Sequence, residues 1–563
     1  MKGHPHLARR FLAILLFGRR QLAPLLLTFL FLAPQLVLAT DREWTGTTNT
    51  TWSTSTNWSG GVPGNTDNAK FDLSFSNQPN LTANATVGGL WMATGVGQNV
   101  TISGSMLTLQ GNTINGTAGL GILMDNTSAF TLTVNASLTL GAAQIWRNNS
   151  GNLLTIAGGL DLNGNNLTID GSGNATISGV VSDSQSPGGG NLTKNGSGTL
   201  ILSGSNTFNG STTLNAGSLD LNSTRALGTG AFTINGGTID NTSGGAITLS
   251  TNNAITVSGN FTFGGTNDLN FGGGKVSNGG NYTITLNGTN STLTFGGVMK
   301  NTLNAAQTTT VNGAGNTLVL GGYTLNNANQ VDTINGSGNV TITGAIANGG
   351  KATTSGLTYS GTGTLTLSGT NTYGGATTVN SGTVLINGSN SGATGAVSVN
   401  NSGTTLGGTG TIGGAVTVGN GARILGGTGS AASGTLKLAN NLTLNSGSII
   451  ELALGASGAH STLARTGGTW TFGSTQAFTF IDLGAQPGNY TNIITGLASN
   501  PGTEANWTIT NTGWIGSFSY SGGNISLNVV AVPEPATYLA GFLALVALGY
   551  HQRRRLSSLL QRA

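Results

Sequence analysis

Apolar and polar residues alternate along most of this chain in runs of only two to five, each closed by Gly, Asn or Ser. Period-two alternation turns one set of side chains inward and the other outward on a strand. In Leu192–Asn222, Leu200 and Leu202 face one way while Thr199, Ile201 and Ser203 face the other; Phe208, Leu214, Leu219 and Leu221 continue the inward set. Strands this short bury too little surface to stand alone. Piled coil upon coil about 4.8 Å apart, they pair edge to edge and merge their inward Leu, Ile and Val into one core. The pattern therefore predicts an all-β right-handed parallel β-helix (solenoid) of roughly 20–25 residues per coil, on the order of 15 coils and about 70 Å long. Gly and Asn suit the corners because both tolerate positive φ. Asn at equivalent corners is also placed to form hydrogen-bonded ladders. A β-sandwich array would need domain-length repeats, and a disordered Gly/Asn-rich coat would not keep the alternation.

The repetition is internal. Leu192–Asn222 aligns without gaps to Leu357–Asn387, with 17 of 31 positions identical, and Asn316–Gly344 and Ala396–Gly427 are weaker copies. Flanking the repeats, three of the eight tryptophans (Trp44, Trp52, Trp58) lie within fifteen residues. They suit an end cap for an exposed core, or sugar stacking. Beyond residue 430 the repeats fade into an aromatic-richer β segment ending in Ile525–Val530. The expected organisation is a secretory signal over 1–39, an N-terminal Trp-rich cap over 40–90, the β-helix over 91–430, a C-terminal β-rich cap over 431–531 and a terminal segment over 532–563.

Composition narrows the function classes. Of 563 residues 95 are Gly, none is Cys and only 6% are charged. Disulfides, Cys-based zinc sites and thiol nucleophiles are thereby excluded. Most excess positive charge sits at the two ends; between Thr40 and Pro533, 11 basic residues face 15 acidic ones, a net charge near −4. No basic patch remains for phosphates, so no nucleic-acid partner is expected.

The ends are addresses. "FLAILLFGRR" followed by "LAPLLLTFLFLAPQLVLA" is a basic region, an apolar region and small residues, which reads as a signal peptide cleaved after Ala39. Near the other end, Ala536–Tyr550 is apolar over 15 residues, about 22 Å as a helix and shorter than the ~20 residues a bilayer core needs. Its context favours a single transmembrane helix. Pro535 can open a helix, Glu534 suits its positive end, and Arg553, Arg554 and Arg555 suit its negative end and the positive-inside rule. This is the logic of a stop-transfer device.

"VPEP", a short hydrophobic helix and a terminal arginine cluster together resemble a PEP-CTERM sorting signal, made here of Pro533, Glu534, Pro535, Arg553, Arg554 and Arg555. The resemblance implies processing by an exosortase-type enzyme, a transient inner-membrane anchor, and release to a cell surface or exopolysaccharide-rich matrix. The "GxGTLxLSGxNTYxGxTTVNxGxL" pattern resembles the autotransporter-associated β-strand repeat of large surface proteins. The chain finishes "LLQRA" rather than in translocator strands, so self-transport is not expected.

Little chemistry is visible. His460 has no Cys or carboxylate near it in sequence, and no serine has an activating partner. Gly runs such as "GSGNATISG" lack the GK[ST] of a phosphate loop. Asp161 and Asp170 lie nine apart; Asp220 and Asp240 lie twenty apart, close to one coil, and could stack on one face. Such a pair could bind calcium or act as acid and base in a β-helix polysaccharide lyase or hydrolase. The expectation is otherwise a non-enzymatic protein without metal or cofactor, adhesive or structural in role, with exopolysaccharide or other glycans as partners.

Overall fold

The computed structural model describes residues 39–125, 127, 129–185, 188–350, 352–531 and 545–553. It is an all-β parallel solenoid of about 18 turns, which at about 4.8 Å per turn makes a rod roughly 80 Å long. Most turns lay one short strand on each of three faces; residues 203–211 and 222–231 cross the third face without one. On face 1, Leu192, Thr212, Phe232, Ile255, Val276, Met299, Tyr323 and Ile346 are successive register partners. Face 2 runs through Leu200, Leu219, Ile239 and Phe263 and on to Ile334, Tyr359, Val379, Val399, Val418 and Leu444. Face 3 runs from Leu269 through Leu293, Leu318, Val340, Leu365, Val384, Leu406, Ile424 and Ile450 to Phe478 and Ile509. Nearly all these residues are buried, and a single core cluster runs from Trp44 to Val529.

The corners follow the expected chemistry. Among the described residues, every non-glycine residue with positive φ except Ser457 is an asparagine: Asn115, Asn163, Asn252, Asn290, Asn329 and Asn492. Asn ladders form, with Asn235 donating to Asn215 and Asn215 to Asn195, each at 2.8 Å, and Asn400 donating to Asn380 at 2.9 Å. Gly217 (φ +68°) could not be replaced: a Cβ there would collide with the carbonyl oxygens of Gly196 and Gly198.

The two best repeats do not occupy the same faces. In the first copy Leu192 lies on face 1 and Leu200 on face 2. In the second, Leu357 lies on face 2 and Leu365 on face 3. The second copy therefore starts seven turns and one further face along. Local contacts survive this rotation. Buried Asn206 accepts from the Val181 amide at 2.9 Å, and its counterpart Asn371 accepts from Ile346 at 2.7 Å. Gly382 meets Gly361 and Gly363 as Gly217 meets Gly196 and Gly198.

Two inward charges interrupt the aliphatic core. Lys194, 2% exposed, donates from Nζ to the carbonyls of Asn195 and Gly196 (both 2.7 Å) and Ala216 (3.3 Å). Asp332, 0% exposed, accepts from Asn301 Nδ2, Asn326 Nδ2 and the backbone amides of Gln307 and Asn326 at 3.0–3.2 Å. No cation is among these partners; every donor is a side-chain or backbone amide.

At the N-terminal end Trp44, Trp52 and Trp58 are buried and mutually packed, with Trp58 edge-on to Trp44 at 4.9 Å and to Trp52 at 4.7 Å. The parallel ladders run past residue 430, where the repeats fade, as far as Thr508–Ile509. Only then does the pairing change: Asn524–Ala531 lies antiparallel between Gly488–Thr495 and Ile515–Ser521. The expected signal peptide up to residue 38, the Pro533–Glu534–Pro535 motif, Arg554 and Arg555 fall outside the described residues. Residues 545–553, including Arg553, are helical. Among the described residues no helix is long and apolar enough to cross a membrane. The expected transmembrane helix is thus not part of the described fold.

Candidate functional site

Strands of the form in–out–in leave one outward side chain per rung, and in this sequence it is usually threonine. On face 1 the outward column is Thr168, Thr193, Thr213, Thr233, Thr256 and Ser277. On face 2 it is Thr308, Thr333, Thr358, Thr378, Ser398, Thr417, Thr443 and Thr471, eight hydroxyls in unbroken register. The longest hydroxyl row therefore moves from face 1 to face 2 along the rod, as the repeats do. Two residues beyond each Thr, on the same side of the strand, stands a second column rich in Asn; Asn195, Asn215 and Asn235 on face 1 and Asn380 and Asn400 on face 2 form the ladders described above. The amides are thus spent on one another, while none of the eight face 2 hydroxyls bonds to a protein group among the described residues. Together these columns present a flat, neutral surface of donors and acceptors.

The acidic candidates separate. Asp220 and Asp240 are direct register partners on face 2, so the coil-spacing expectation places them together. Asp220 is 6% exposed; burial, together with the charge of Asp240, raises its pKa. Its oxygens accept from the hydroxyls of Ser218 (2.8 Å) and Thr242 (3.3 Å). Asp240 accepts from the Thr266 hydroxyl (2.6 Å) and amide (3.0 Å) and from the Asn241 amide (2.8 Å). Asp161 and Asp170 are not brought together. Asp161, on face 3, accepts from the amides of Asn163 and Ser184. Asp170, on face 1, pairs with Arg147 at 2.9 Å. Burial opposes ionisation of Asp170, but the Gly171 amide and the Arg147 guanidinium outweigh it and lower the pKa. Among the described residues no group of three or more His, Asp or Glu could hold a metal.

His460 stands alone, its ring nitrogens facing the carbonyls of Ser461 (3.0 Å) and Thr491 (2.8 Å). The Trp44, Trp52 and Trp58 rings pack on one another and on Phe71, so no ring face is left for a sugar. What sequence reasoning missed are the two inward charges and the changing face of the repeat.

The fold and its outward columns define a repeat-built parallel β-solenoid. Residues 192–221 and 357–386 match the family model described as the passenger-associated-transport-repeat, so these two segments are similar to that family. No curated protein matches the chain.

Proposed function

We propose that this chain is an exported, non-enzymatic protein of the cell surface or extracellular matrix, structural and adhesive in role and associated with exopolysaccharide. The observation carrying this reading is the register-true column of unengaged hydroxyls on a parallel solenoid that contains two transport-type repeats. A rod of this kind needs no cofactor to act and offers long, uncharged, hydrogen-bonding faces. Export would use the N-terminal signal, cleaved after Ala39. Sorting would use Pro533, Glu534, Pro535 and the Arg553–Arg555 cluster, read by an exosortase-type enzyme during a transient stay in the inner membrane. Fractionation of cells expressing the Glu534→Ala variant tests the sorting step. Accumulation in the inner membrane with loss from the surface is expected; an unchanged distribution overturns it.

A second reading rests on the stacked Asp220–Asp240 pair, which would serve a polysaccharide lyase or hydrolase. It predicts that extracellular polymer shortens on incubation and that Asp240→Asn stops this. Retention of glycan without shortening supports the structural reading.

A further inference from the structure

Among the described residues, the second half of face 2 carries the longest hydroxyl row, and the columns beside it are uncharged, whereas those beside the face 1 row contain Asp170 and Lys275. Face 3 there carries Leu385 and the Arg423–Glu451 ion pair (2.8 Å), and face 1 carries Lys437. On face 2 the eight-rung hydroxyl column is flanked on one side by Asn335, Ser360, Asn380, Asn400, Gly419 and Asn445. On the other side, Val331, Gly356, Ala376, Ala396, Ala415, Asn441 and Thr469 stand one rung apart, their carbonyls accepting amides of the preceding rung from Ala376 onward. No charged residue stands in these three columns. The surface is about 34 Å long with columns roughly 6.6 Å apart.

We propose that this strip binds a neutral, extended polysaccharide chain laid along the rod axis. The inference rests on the glycan-associated reading above and adds the face and the class of polymer. Neutrality selects against uronate-rich or sulfated chains, which gain nothing from a face without cations. Small side chains leave the strip flat, so a ribbon-like polymer can lie along all eight rungs. An extended β-1,4-linked hexose chain advances by slightly more than one rung per sugar, so neighbouring sugars can meet Thr hydroxyls in near register over a few rungs while the methyl groups of Thr and Ala meet their C–H faces. A second copy of the chain is the poorer occupant: the strip covers on the order of 450 Å², against the roughly 800 Å² per partner of a stable interface.

The test is retention of the full chain on regenerated cellulose, a neutral β-1,4-glucan, and on alginate, with sedimentation to read self-association. The triple variant Thr378→Val, Ser398→Ala, Thr417→Val removes three central hydroxyls; Thr364→Val with Thr383→Val on face 3 is the control, and thermal melting checks that both fold. Expected are preference for cellulose, at least about tenfold weaker retention of the triple variant, and an unchanged control. Cellulose retention unaffected by the triple variant overturns the face assignment while leaving glycan association standing. Preference for alginate overturns the neutral class, and sedimenting dimers broken by the triple variant make the strip a self-interface. Binding to neither polymer overturns this proposal and weakens the glycan reading with it.

Discussion

Copy one of the repeat, 192–221, and copy two, 357–386, share most of their residues but sit a third of a turn apart around the rod. Their likeness shows that the solenoid's three faces are close to equivalent. Asn206 and Asn371 do the same work on different faces, as do Gly217 and Gly382. Their differences show what each site tolerates. Inward Lys194 of copy one becomes Tyr359 in copy two, Phe208 becomes Tyr373, and Leu167 in the preceding turn becomes Asp332.

The sharpest break in the comparison is Asp332. Placing at 332 the leucine that precedes copy one, Asp332→Leu, removes an acceptor from the Asn301 and Asn326 side-chain amides, which keep only the Ala305 and Gln330 carbonyls, and leaves the backbone N–H groups of Gln307 and Asn326 without one. It should cost about 3–5 kcal/mol. Hydrogen exchange over residues 301–335 reads this as lost protection, and protection equal to the parent would refute the buried network.

Lys194 gives a pH signature that Tyr359 cannot. Burial lowers its pKa from 10.5 to about 8. Below pH 8 both folded and unfolded chains carry the proton, and the penalty of the buried ammonium is constant. Between pH 8 and 10 the unfolded chain holds a proton that the folded one has released, so stability rises with pH. The gain should approach about 2–3 kcal/mol by pH 10, and Lys194→Met should abolish the slope in exchange measurements over residues 169–216.

Asn206→Ala and Asn371→Ala should each cost about 1–2 kcal/mol, the first loosening residues 181–182 and the second residues 346–347. Unequal losses would mean that the faces are not interchangeable. The smallest effect concerns one hydroxyl. The Tyr373 O–H lies 2.6 Å from the Thr377 hydroxyl, whereas Thr212, opposite Phe208, has a buried hydroxyl without a partner. Phe208→Tyr should stabilise, and Tyr373→Phe destabilise, by about 1 kcal/mol each, measured as shifts in the denaturation midpoint.

Much of the fold was legible in the sequence because period-two alternation survives wherever a rung is buried. It even persists beyond residue 430, where Leu442–Leu444 and Ile449–Leu452 keep the ladder after the recognisable repeat has faded. The stacking of Asp220 on Asp240 was legible from coil spacing. Which face each copy occupies was not, since an alignment records the order of strands but not how many separate two copies. Asp332 was equally opaque: Asn326 lies in the corner just before it, but Asn301 and Gln307 flank a corner 25–31 residues back, and only the closed solenoid brings the two corners together.

Interchangeable faces also set how such a rod can change length. A gain or loss of one strand with its corner, rather than a whole circuit, leaves the interior filled but swings everything downstream by about 120°. The heading of the threonine strip, and hence what the rod's far half can touch, would then be adjustable in three steps by events of only about seven residues.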